Sequence, residues 1–96
     1  MNAIQLQLGQ VVATAGVDSW AKEKNPEWRI APLIQAVQRH QRGDWGEVCD
    51  EDKKLNDEAV DGEGRILSAY TVDGEKVWVI TEWDRSVTTV LFPSEY

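Results

Sequence analysis

Ile4, Leu6 and Leu8 alternate with Gln5 and Gln7, the period-two pattern of a half-buried strand, until Gly9 interrupts it. A short strand or extended arm is expected there. Thr14 stands where its hydroxyl can accept from the first amides of a helix, and Val17, Trp20 and Ala21 give that helix an apolar side. Asn25-Pro26 ends it, because the proline ring pushes Asn25 out of the α region. Pro32 suits the first turn of a second helix running to about Arg42, with Leu33, Ala36, Val37 and His40 on one face and Gly43 as the stop. A third helix is expected from Asp50, whose carboxylate can cap exposed amides, with Glu51 and Asp52 suiting the positive N-terminus and Leu55, Ala59 and Val60 forming its apolar side.

From Arg65 onward β-branched and aromatic residues dominate, and two turns cut the run into strands over roughly 65 to 72, 76 to 83 and 86 to 92. Asp73-Gly74 supplies the positive φ pair of a type I′ hairpin, so Tyr70 should face Val77 and Ser68 should face Val79. With Asp84-Arg85 as the second turn, Ile66, Tyr70, Val77, Val79, Trp83, Val90 and Phe92 share one face. Leu67, Ala69, Trp78, Ile80, Val87 and Leu91 share the other. Both faces are apolar, whereas a sheet with one wet face alternates with polar residues, so each needs a cover. The expected fold is α+β: about three short helices packed on a C-terminal three-stranded antiparallel meander, with room for an extra N-terminal strand, in a single domain over residues 1–96. A homodimer through the uncovered face, or through an edge at 65 to 72 or 86 to 92, would satisfy the remaining apolar surface unless the N-terminal segment does so.

Charge changes the picture of what could bind. The net charge is −7 with a pI near 4.5, which argues against direct nucleic-acid binding and favours a protein partner. Glu47, Asp50, Glu51, Asp52, Asp57, Glu58, Asp61 and Glu63 lie close together against only Lys53 and Lys54, so one flank should be strongly negative. Cys49 is the single cysteine and excludes an internal disulfide. No signal peptide pattern and no apolar run of membrane-spanning length are present, which points to the cytoplasm and away from membranes.

Candidate chemistry is sparse. His40-Gln41-Arg42-Gly43-Asp44-Trp45-Gly46 reads as a helix cap and tight turn with Trp45 folded onto the core; its functional alternative is a recognition loop in which Asp44 and Trp45 meet a partner. His40, the only histidine, is the natural acid–base candidate, set against a packed histidine bonded inside the core. Asp50, Asp52, Asn56 and Asp57 suggest a calcium loop, but Lys54 stands where a third ligand belongs, so no metal is expected. No phosphate loop, paired-cysteine zinc site or nucleophile elbow is present, and no cofactor is expected. Arg85 beside Ser86, Thr88 and Thr89 either presents a cation to an anion or pairs with Glu82 or Asp84 within the turn.

The runs Arg39-His40, Gly43-Asp44-Trp45-Gly46, Glu51-Asp52-Lys53 with Asn56, and Gly64-Arg65-Ile66-Leu67-Ser68-Ala69-Tyr70 form one set. Val77-Trp78-Val79-Ile80-Thr81-Glu82, Asp84-Arg85-Ser86-Val87-Thr88-Thr89-Val90-Leu91, Pro93 and Glu95-Tyr96 continue it. Over residues 39 to 96 the chain resembles a family of small proteins carried by bacterial plasmids, phages and integrated elements, often labelled plasmid-related proteins or restriction-modification subunits. The resemblance implies a mobile-element protein, and with the acidic surplus it leads to a non-enzymatic interaction protein, an antagonist of a host defence system (anti-restriction or anti-CRISPR type) being one concrete form. The expected binding residues are Asp44, Trp45, Asp50, Asp52, Asp57, Glu58 and Arg85. A second likeness, of Arg65-Ile66-Leu67 opening the meander, is to microbial ribonucleases and messenger-RNA-cleaving toxins. It implies a metal-independent ribonuclease using His40, Arg65 and Arg85.

Overall fold

Asp73 and Gly74 take φ of 49° and 81°, so the chain reverses in two residues and the flanking strands, β2 (Ile66–Val72) and β3 (Glu75–Thr81), pair with Tyr70 facing Val77 and Ser68 facing Val79. These belong to a computed structural model that describes residues 5–24 and 31–96. The last strand, β4 (Val87–Leu91), pairs with β3 in the register a turn at 84 and 85 would set, Thr81 facing Thr88 and Trp78 facing Leu91. The connection is longer than two residues, however. Glu82 N–H donates to Val87, Arg85 N–H donates back to Glu82, and Arg85 takes a left-handed φ of 60°. Trp83 therefore leaves the sheet face expected for it and stands 61% exposed.

The first strand, β1, lies at Gln10–Ala13, not at residues 4 to 8, and runs parallel to β4. The three-stranded meander thus becomes a four-stranded mixed sheet in the order β1-β4-β3-β2. All four β1 residues are exposed, which explains why no alternation marked them. Ile4 lies outside the described residues, as does the helix stop at Asn25-Pro26. Leu6 and Leu8 turn inward instead, Leu6 donating its amide to Gln41.

The remaining elements are α1 (Ala15–Lys24), α2 (Ala31–Gln41), α3 (Asp50–Val60) and a 3-10 turn at Pro93–Glu95. Thr14 accepts from Val17 N–H at 3.2 Å, capping α1 as its sequence implies. Val17 and Ala21 of α1 and Leu33 and Ala36 of α2 bury Tyr70, Val77, Val79 and Val90 on one sheet face. The opposite face receives the C-terminus: Tyr96 meets Trp78 edge-on at 5.5 Å, and the Arg65 guanidinium lies over its ring. No helix among the described residues is long and apolar enough to cross a membrane.

Helix α3 packs Ala59 and Val60 against Leu6, Trp45 and Ile66 as expected, but not Leu55. Leu55 is 57% exposed, and the buried residue is Asn56, whose side-chain amide donates to Leu67 O and accepts from Leu67 N–H. A second pairing extends this guard along the outer side of β2. Ala69 N–H donates to Trp45 O, and Glu47 N–H donates to Ala69 O at 2.7 Å. The strand at 66–72 is thus covered, and β4 is interior, so neither expected dimer edge is open.

Candidate functional site

Inward positions of a strand are normally apolar, yet Ser68 sits between Ile66 and Tyr70, and Thr81 and Thr88 face each other beside it. All three are buried, and His40 enters among them from the last turn of α2 with no exposed surface. Its Nδ1 lies 2.6 Å from the Ser68 hydroxyl and its Nε2 lies 2.8 Å from that of Thr81. Thr81 and Thr88 are 2.7 Å apart, and Thr88 donates to the Leu8 carbonyl. The proton order follows from that anchored end, because the Thr88 hydrogen is spent on Leu8 and Thr81 must donate to Thr88. Nε2–H of His40 then donates to Thr81, and the bare Nδ1 accepts from Ser68. Burial, aided by the Arg85 charge, pushes the imidazole pKa down to about 4, so the ring is neutral at pH 7. Trp45 closes the seam, its ring edge-on to His40 at 5.7 Å.

Neither arginine of the ribonuclease reading joins this histidine at a shared surface. Arg65 extends over Tyr96, donates to its hydroxyl, and lies 3.6 Å from Glu82 on the helix-free side of the sheet. The Arg85 guanidinium donates to the carbonyls of Ala59 and Gly64 at 2.6 Å and of Glu82 at 3.1 Å, which ties the second hairpin to the C-terminus of α3. A cation at a helix C-terminus also meets the negative end of the macrodipole. Its partners are thus main-chain carbonyls, not the carboxylates of Glu82 and Asp84. Replacing Arg85 by alanine is expected to destabilise the fold by about 1–3 kcal/mol, since it strands carbonyls at a partly buried helix end. Arg85→Gly should be milder by about 1 kcal/mol because it relieves the left-handed φ. Denaturant titration of both variants checks this, and an unchanged midpoint for Arg85→Ala would return the side chain to anion binding.

The glycine-framed loop is structural in its interior and charged at its rim. Trp45 is 4% exposed and its indole N–H donates to Asp57 at 2.8 Å, so it is buried as a core anchor. Asp44 accepts from Arg39 at 2.7 Å and from Gly46 N–H, and the guanidinium beside it holds its carboxyl below the usual range. Asp50, Glu51, Asp52, Asp57 and Glu58 are all exposed on α3, whose N-cap is Cys49 and not Asp50. Residues 44 to 63 hold nine acids against two lysines, a local charge of −7 equal to that of the whole chain. Leu55 stands exposed among them. Among the described residues no three His, Cys, Asp or Glu side chains converge to hold a metal.

The buried hydroxyls and Asn56 were missed from the sequence. Ser68, Thr81 and Thr88 carried a signal in their inward phase, whereas Asn56 was hidden by a helix phase read from Leu55.

Comparison with known proteins found no matching family model, no matching curated protein and no matching solved structure.

Proposed function

We propose that the protein is a non-enzymatic interaction protein that binds a basic surface of another protein through the outward face of α3. The observation that carries this is that residues 44 to 63 hold a local charge of −7, equal to that of the whole chain, with five of their nine acids exposed on α3. Leu55 would supply an apolar contact at its centre, and the surrounding acids would steer association and match cationic side chains. A protein whose task is to hold nucleic acid presents such a basic surface, so occupation of its channel by α3 fits the expected antagonist of a bacterial defence system carried by a mobile element. The ribonuclease reading is weaker because His40 has no surface to offer a substrate and because Arg65 and Arg85 are engaged elsewhere.

Asp57 must be kept in any test because it holds Trp45. A variant combining Asp50→Asn, Glu51→Gln, Asp52→Asn and Glu58→Gln should melt within a few degrees of the parent. Relief of repulsion there offsets the lost helix N-terminal charge, worth about 0.3–1 kcal/mol per acid. Captured from bacterial lysate on the parent protein, partners should be released by raised salt and absent from the neutralised variant. Equal capture by both would overturn the reading, as would RNA cleavage by the purified protein that His40→Gln abolishes.

A further inference from the structure

We propose that β1 is a self-association edge: two copies of the chain join antiparallel across Gln10–Ala13, about a two-fold axis at Val12, merging two four-stranded sheets into one of eight. This stands apart from the acidic-helix reading and can hold without it.

Among the described residues, the sheet order β1-β4-β3-β2 leaves two edges. The β2 edge is guarded by Trp45, Glu47 and Asn56, while β1 is exposed along its whole length, Val11 at 47% and Val12 at 36%. Natural edges are usually blunted by charge, proline or a bulge, and Gln10-Val11-Val12-Ala13 has none of these. Beside it runs an apolar groove of about 370 Å³ between β1 and α2, lined by Val11, Val12, Leu33, Ile34 and Val37 among others, with no ionisable side chain in its lining.

Charge decides in favour of a second copy. The −7 of residues 44 to 63 lies on the far side of the molecule, since α3 packs on β2 and the sheet places β2 three strand spacings, about 14 Å, from β1. Joining two β1 strands puts both acidic flanks at opposite outer ends, separated by well over a Debye length of about 8 Å. Joining through β2 would set −7 against −7. A strongly charged partner would find no counter-charge in the groove, whereas a second copy offers the same uncharged strand.

The hydrogen-bond phase fixes the register. Gln10 and Thr14 donate to Ser86 and Val90 of β4, so residues 10, 12 and 14 aim their backbone groups inward across the ladder and Val11 and Ala13 aim theirs outward. Pairing Val11 of one copy with Ala13 of the other forms two reciprocal pairs of N–H···O bonds. Val12 then faces Val12 in the non-hydrogen-bonded position on the axis, with Cα atoms about 4.5 Å apart.

Sedimentation equilibrium at micromolar concentration should give twice the 10.9 kDa of one chain. Val12→Lys, which opposes two ammonium groups on the axis, should return the mass to one chain with no loss of helical and strand circular dichroism. Val12→Cys in a Cys49→Ser background should form a disulfide-linked dimer on mild oxidation, with Val11→Cys in the same background much slower. A wild-type mass of one chain throughout the micromolar range overturns the proposal. So does a dimer that Val12→Lys leaves intact, and if that variant unfolds, failure of Val12→Cys to cross-link does so in its place.

Discussion

Truncation of His40 to alanine is expected to destabilise the fold by about 3–5 kcal/mol at pH 7, a large part of the 5–15 kcal/mol typical of a domain. Two losses combine. The ring leaves a cavity against Trp45, and the hydroxyls of Ser68 and Thr81 lose their partner while remaining buried, at about 1–3 kcal/mol for a stranded group. His40→Gln restores part of the hydrogen bonding and should cost less.

The pH dependence separates this account from simple loss of volume. The imidazole pKa is about 4 in the folded protein against 6.5 ordinarily, so between those values the unfolded chain binds a proton that the native state refuses. Stability from His40 is therefore complete above pH 6.5 and declines as pH falls toward 4, by about 3 kcal/mol over that window. The gap between wild type and His40→Ala, measured by urea unfolding, should shrink by about that amount, because titration of the shared carboxylates cancels in the difference. A gap constant from pH 7 to pH 4 would mean that His40 is not held neutral.

What the sequence made legible was local in origin. Asp73-Gly74 determines the first hairpin through its own φ values, and the face shared by Leu33, Ala36 and His40 is written in helical spacing. The second register was readable, although the loop around Arg85 was not, because its conformation depends on the α3 carbonyls that the guanidinium reaches. Strand β1 was invisible for a different reason. A strand exposed on both faces has no hydrophobic alternation, and its position is set by pairing with residues 87 to 90, far along the chain. His40 could be placed on the inner face of α2, but its chemistry hung on Ser68 and Thr81, which lie 28 and 41 residues away. The same holds for Trp45, whose burial was foreseen and whose bond to Asp57 was not.

Replacing Gly46 by alanine should be nearly as damaging as losing His40, at about 3 kcal/mol or more, and it should act on the guarded edge of the sheet. Gly46 has φ of 72°, which costs a residue with a Cβ about 1–2 kcal/mol. The added methyl would also overlap the Ala69 carbonyl oxygen and the Tyr70 ring, so the strand-like contact between 45–47 and β2 must open. Opening releases the bonds between Ala69 and both Trp45 and Glu47 and draws Trp45 from its place beside Leu6, Ile66 and His40. Gly74→Ala is the control, since Gly74 has φ of 81° and open space around it, so it meets the conformational cost alone. The difference between the two variants in urea unfolding isolates the overlap and should be about 2 kcal/mol. Faster exchange of the Ala69 amide proton should accompany it in Gly46→Ala and be absent in Gly74→Ala. An unprotected β2 edge also recruits other strands, so Gly46→Ala should form species larger than those of the wild type. Equal effects of the two substitutions would show that residues 45–47 merely lie against β2, and that the sheet does not depend on them to close its edge.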